Sequence, residues 1–286
     1  MKPSARGTLQ LVVLVAAAAA AACGSELAEP GVRLRLRYDI GDTLHYDYTA
    51  TGTVIGPDSA PSNGTVTESY ERHMRVDEVA TDVTPRGHYL LAWTYHLPPD
   101  TGHAGKAEAG MPTEFTVNVE ITPQGRIVDV RNVETAKPLF GDLDFRTYLE
   151  QTQPVFPDRP LKVGDSWTQE VKVLSPEAEP VVTSSTYILE SLRQEESEPT
   201  AVIAFDGDVY LPVVYESDDG EEEGLRSVEE RVGVRGRMFF AHERGMIRRV
   251  ESTAEATLTK VSFREGQAVR QELQISQEST LRLVDP

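Results

Sequence analysis

The stretch Leu44-His45-Tyr46-Asp47-Tyr48-Thr49-Ala50-Thr51-Gly52-Thr53-Val54 decides the fold. Leu44, Tyr46, Tyr48, Ala50 and Val54 share one parity; His45, Asp47, Thr49, Thr51 and Thr53 share the other. A period of two belongs to a strand, whose successive side chains point to opposite faces. One face is apolar and the other polar, as in a sheet covered on one side only. The period recurs along the chain. Val66, Tyr70, Met74 and Val76 alternate with Thr65, Thr67, Glu71, His73 and Arg75. Tyr89, Leu91, Trp93, Tyr95 and Leu97 follow, then Phe115, Val117, Val119 and Ile121. Pro123-Gln124-Gly125 reads as a tight hairpin turn with glycine at the φ > 0 position, and Ile127, Val128 and Val130 make the return strand.

The pattern stops between Ala136 and Pro160, where Pro138, Pro154, Pro157 and Pro160 punctuate the chain. Leu143, Phe145, Tyr148 and Leu149 have helical spacing there, and Asp142 or Asp144 can cap the N-terminus. The spacing predicts one short helix over 143–152. Strands resume with Trp167, Val171 and Val173, then Ile203 and Phe205, then Val228, Val232, Val234, Met238 and Phe240. The last series is Val269, Leu273, Ile275, Leu281 and Leu283 against Arg270, Glu272, Gln274 and Arg282. The expected fold is mainly β. Long antiparallel strands form a curved sheet, as a half-barrel or a sandwich, with one short covering helix.

Two landmarks repeat. Gly41-Asp42-Thr43-Leu44 and Gly164-Asp165-Ser166-Trp167 each open a strand series, and Gly125-Arg126-Ile127 and Gly245-Met246-Ile247 each close one. Their near-equal spacing predicts two related halves. The expected organisation is a signal peptide over 1–22, a lipidated cysteine and tether over 23–37 and a first β unit over 38–135. A proline-rich connector with the helix over 136–161 and a second β unit over 162–286 follow.

The start of the chain is an address. Lys2 and Arg6 precede a run from Leu9 to Val15 and seven alanines, Ala16 to Ala22, with no further charge before Glu26. A basic start, a short apolar run and small residues make a secretory signal. Cys23 is the only cysteine, which excludes an internal disulfide. Ala20-Ala21-Ala22-Cys23-Gly24-Ser25 resembles a bacterial lipobox, with Ala in place of the usual Leu three residues before the cysteine. The resemblance implies acylation of Cys23 and, with no aspartate after it, outer-membrane sorting where the cell has two membranes. The alternative is ordinary cleavage that leaves a free thiol.

The 286 residues carry 28 Lys and Arg against 46 Asp and Glu, a net charge of −18, and 39% are hydrophobic. That is too apolar for a disordered acidic chain, and the charge excludes the basic footprint that nucleic acid requires. Loss of Lys2 and Arg6 with the leader makes the body more acidic still. Anionic headgroups repel it, so acyl chains and not electrostatics must hold it at a membrane.

Pro157-Asp158-Arg159-Pro160-Leu161-Lys162-Val163-Gly164-Asp165-Ser166-Trp167 resembles a P-D-x-P-x-x-x-G-D-S-W segment. That segment joins two β-rich halves in a family of uncharacterised bacterial lipoproteins, for which no reaction is assigned. More distantly, the layout is similar to lipoprotein carriers of the LolA, LolB and RseB kind. These hold acyl chains in a half-barrel, which implies an apolar ligand.

Motifs for chemistry are few. There is no Gly-x-Ser-x-Gly, P-loop, dinucleotide fingerprint or His-Glu-x-x-His, so no catalytic residue, metal or cofactor is expected. His45, His73, His88 and His96 fall on wet faces, as scattered surface residues or a weak zinc or copper cluster. Asp218-Asp219-Gly220-Glu221-Glu222-Glu223 lacks the alternating spacing of a calcium loop and reads as a solvated hairpin tip. Trp93, Tyr95, Phe115 and Trp167, with Tyr89, fall on apolar faces, either as plain core or as the lining of an apolar-ligand groove. Many strands and one helix leave a large apolar face to bury. Either the protein fills it, or cargo does.

The expected role is a non-catalytic, lipid-anchored envelope protein that binds or interacts with an envelope partner. The alternative is a carrier or chaperone for acyl chains or another apolar ligand. Metabolic labelling with a radioactive fatty acid tests the anchor: the chain incorporates label, and Cys23→Ala abolishes it.

Overall fold

The computed structural model describes residues 31–57, 65–97, 113–136, 144–174, 179–214, 224–264 and 267–284. Cys23, the leader, Asp142 and Leu143, and the acidic run 218–223 lie outside them. The first half supplies β1 (Thr43–Pro57), β2 (Thr65–Val83), β3 (Tyr89–His96), β4 (Glu114–Ile121) and β5 (Ile127–Arg131). The second supplies β6 (Ser166–Val173), β7 (Val181–Glu195), β8 (Glu198–Val214), β9 (Gly224–Ala241), β10 (Met246–Arg264) and β11 (Gln267–Val284). Each half is a meander. β1 pairs with β11, with Tyr46 opposite Leu283 and Ala50 opposite Ser279, which joins the meanders into one antiparallel sheet. The order is β5-β4-β3-β2-β1-β11-β10-β9-β8-β7-β6. The sheet is open. It is neither a sandwich nor a closed barrel.

The two halves correspond strand for strand, β1–β5 to β6–β10. Gly41 and Gly164 have φ of +92° and +91°. Gly41 N–H donates to Ala80 O at 2.8 Å, and Gly164 N–H donates to Leu189 O at 2.8 Å. Ala80 and Leu189 then donate back to Asp42 O and Asp165 O. The pairing slips by one residue just after each, between Ala80 and Asp82 in β2 and between Leu189 and Ser191 in β7. A bulge at the same offset is the mark of a repeated unit, since bulges are specific local features.

β7 and β10 have no clean alternation in sequence. The inner face of β7 carries Thr183 and Ser185, while Val182 and Ile188 lie exposed outside. β10 turns Ser252, Ala254 and Ala256 inward. These small residues mark a band where the sheet coils tightly. A Cβ on Gly236 would meet Glu251 O at 2.1 Å and the Phe205 ring at 2.8 Å.

The core sits at one end of the sheet. It joins Leu91, Trp93, Phe115, Val117, Val119 and Ile121 of the first half to Tyr187, Leu189, Ile203, Met238 and Phe240 of the second. Helix α1 (Phe145–Thr152) touches β5 and β6, the two edge strands, as well as β7 and β8, which requires a curled sheet. It is shorter at its start than the predicted 143–152. Asp144 is its N-cap and accepts from Thr147 N–H at 3.2 Å. Eight residues are too few for an independent helix, so tertiary contacts hold it. Phe145 and Leu149 enter the core, and each contributes about 1.5–3 kcal/mol by burial.

The tether expected over 23–37 ends earlier. Val32, Leu34, Leu36 and Tyr38 alternate with Arg33, Arg35 and Arg37, and Leu34 and Leu36 are fully buried. This segment is a strap. Leu36 N–H donates to Pro123 O at 2.7 Å and Arg37 N–H to Gly245 O at 2.9 Å, so it spans the closing turns of both halves. Val32 exchanges two 2.8 Å hydrogen bonds with Leu161. The connector is a second strap: Phe156 N–H donates to Gln124 O at 2.7 Å. Each half's leading segment thus lies on the other half's turn.

Gly125 has φ +94°, and a Cβ there would meet Pro154 O at 2.2 Å. Gly125→Val combines a left-handed backbone with a strap collision. It lowers stability by at least about 2–3 kcal/mol in urea unfolding.

Candidate functional site

The sheet leaves a crevice of about 600 Å³ between its edges. One wall is the β4–β5 turn, Thr122 to Ile127; the other is β6, Trp167 to Val171; α1 and the strap form the floor through Arg146, Glu150, Gln153 and Phe156. Two glutamines tie α1 and the strap to the sheet, Gln169 at this floor and Gln151 at β8 outside the crevice. Gln169 on β6 donates to Glu150 O and Gln153 O, and accepts from Val155 N–H at 3.0 Å. Gln151 accepts from Tyr210 N–H at 2.8 Å and donates to Tyr210 O at 3.1 Å. The Gln151 amide acts as a surrogate peptide where β8 runs on past β7, its last pairing in that direction being Gly207 with Ser185.

The four predicted ligand aromatics are packed on protein. Tyr95 stacks on Phe115 at 4.6 Å between centroids, and Phe115 meets Phe145 of α1 edge-on at 6.3 Å. Trp93 is 7% exposed in the core. Trp167 stacks on Tyr187 at 5.3 Å and meets Phe156 at 6.4 Å. Trp167 also borders the crevice, and its Nε1 is buried without a hydrogen-bond partner.

The opposite face of the sheet holds an open trough of about 660 Å³ where Thr49, Thr51, Arg235, Arg237 and Glu251 stand beside apolar Ala204 and Phe205. Arg237 Nε donates to Glu190 across the ladder at 2.7 Å.

Of the four histidines, two meet. His45 Nδ1 and His96 Nε2 lie 2.6 and 2.9 Å from the two oxygens of Asp77, and Arg75 Nε donates to Asp77 at 2.8 Å. Burial alone would raise the Asp77 carboxyl, but the hydrogen bonds from His45, Arg75 and His96 prevail and hold it at about 2. His73 pairs instead with Glu71, and His88 with Glu120. Among the described residues no cluster of three or more His, Cys, Asp or Glu is arranged to hold a metal ion.

The residue that sequence reading missed is Glu78. It lies on the apolar parity of β2, between Val76 and Ala80, opposite Trp93. That placement is the signal that could have found it. Burial pushes its carboxyl up to about 7, with Tyr38 and Trp93 pulling the other way. Its Oε1 has no hydrogen-bond partner. Glu230, on the same inner face of β9, is also raised by burial, with Arg72 opposing.

Compared with known proteins, the chain matches no family model, and no curated protein matches it. The class it defines is therefore architectural: an open, tightly coiled antiparallel sheet of two repeated meanders, strapped at one end and floored by a single helix.

Glu78 gives a pH test. Its folded-state pKa lies above the ordinary 4.5, so the folded chain holds the proton more tightly than the unfolded one. The Glu78 contribution to stability is greatest below pH 4.5, falls as pH rises to about 7 and is flat above that, a loss on the order of 3 kcal/mol. In urea titrations at pH 5 and pH 8, Glu78→Gln removes most of that fall and is more stable than the parent at pH 8.

Proposed function

We propose that the chain is a lipid-anchored envelope protein acting as a non-catalytic binding and interaction module. Acyl chains on Cys23 hold it to the membrane, the outer one where there are two, and the folded body begins at Gly31, so the tether from Cys23 to Gly31 is nine residues with both ends counted. That tether reaches at most about 30 Å, so the sheet works close to the bilayer. No helix among the described residues is long and apolar enough to cross a membrane.

One observation carries the reading. The aromatics that would line a cargo groove are stacked on one another and on α1, and the sheet's two larger depressions are open and mixed in lining, with Thr, Arg, Glu and Gln side chains among the apolar ones. A filled interior with open concavities of mixed lining suits recognition of a partner at the surface. The carrier reading has the coiled sheet in its favour, but it needs an apolar cavity where Phe145, Leu149 and Phe156 now lie.

Solvent extraction of the purified body, followed by mass spectrometry, separates the two readings. The module reading expects no stoichiometric lipid. One acyl ligand per chain would overturn it in favour of the carrier.

A further inference from the structure

The internal repeat has a gap. β6 corresponds to β1, and β5 to β10. β1 and β10 share β11 as their common neighbour. Their counterparts β6 and β5 share nothing, because after β5 the chain goes into the connector and α1. The sheet thus has a strand position that is filled in one half and open in the other. That position is the crevice.

The main chain is set up for it. Leu189 N–H donates to Asp165 O, so residues of odd number in β6 bond to β7. By strand alternation, the N–H and C=O groups of Thr168, Glu170 and Lys172 turn to the free edge. In β1, Ala80 N–H donates to Asp42 O, which fixes the same alternation. His45, Asp47 and Thr49, the counterparts of those three, turn to β11, and the span His45–Ala50 meets Ser279–Val284. Leu281 and Leu283 there point inward. In the crevice the corresponding positions would face Ile127, Val155 and Trp167.

We infer that the free edge of β6, over Thr168–Val173, docks an extended peptide segment of a partner protein as a further antiparallel strand. The segment carries apolar residues at alternate positions, as β11 does. Main-chain bonds supply affinity and the alternate side chains supply selectivity. The charges of Glu170 and Lys172 on the edge discourage indiscriminate pairing. The inference names the partner surface of the module proposed above and rests on that reading.

The test uses the full chain in detergent and a synthetic peptide with the sequence of Gln277–Val284. At saturation, amide exchange of Thr168, Glu170 and Lys172 slows at least tenfold, while β1 and β11 amides are unchanged. A peptide with both leucines replaced by serine gives no protection. Glu170→Pro and Thr168→Pro remove an outward N–H and no ladder bond, so their thermal melts stay near the parent's while peptide affinity falls at least tenfold. Protection absent from β6, unchanged affinity in both proline variants, or β6 protection arising only from self-association of the chain would each overturn the inference. A lipid-free extract with fatty-acid label on Cys23 in that case would leave the module reading standing and remove only its docking edge.

Discussion

The crossing of two straps is the constraint on which the molecule depends. A single open sheet of eleven strands has one apolar face and nothing of its own to cover it. Here the coverage comes from the segments that lead into each half, each laid on the closing turn of the other. The hydrogen bonds of Leu36 and Arg37 to Pro123 and Gly245, and of Phe156 to Gln124, fix these crossings. Leu34, Leu36, Phe156 and Leu161 then seal the core from below. Neither half has this seal alone, since each borrows a strap from the other. The glycines at 125 and 245 follow from the crossings. Each turn must take a left-handed residue and also admit a strap carbonyl at a distance that no side chain allows.

The same geometry shapes what the protein can offer to others. Among the described residues the core is filled by stacked rings, so the proposed recognition falls to open concavities of mixed lining and main-chain edges. The trough and the crevice lie on different faces and use different chemistry. The trough presents threonine, arginine and glutamate side chains along an intact ladder. The crevice exposes a strand edge over a floor locked by the Gln169 amide. Glu78 is the exception to the apolar interior. Its ionisation works against folding above neutral pH, so it is retained at a cost in stability.

What was legible in sequence depended on side-chain size at inward positions. β1, β3 and β4 announced themselves because Tyr46, Trp93 and Phe115 stand out against Asp47, Thr94 and Thr116. β7 and β10 did not, because tight coiling demands Ser, Thr and Ala where a flatter sheet would take Leu or Val. The repeat was visible through its two glycine turns, and Asp144 was one of two cap candidates. The strap, Val32-Arg33-Leu34-Arg35-Leu36-Arg37-Tyr38, alternates as cleanly as any strand, yet its place next to a leader gives it the sequence signature of a tether. The candidate site was less legible. Nothing local in Gln151 or Gln169 says that their amides will stand in for main chain, because their partners are distant in sequence. The meeting of His45 and His96 at Asp77 likewise depends on the register between three strands.

The most direct test of interlocked halves uses the chain's two tryptophans, Trp93 in the first half and Trp167 in the second. Trp93→Phe and Trp167→Phe each leave a single reporter, and urea unfolding of both variants is followed by fluorescence. Mutually strapped halves unfold together, with coincident midpoints and slopes once each variant's own stability is checked by circular dichroism. Two separated transitions, with one half folded while the other is open, would contradict the account.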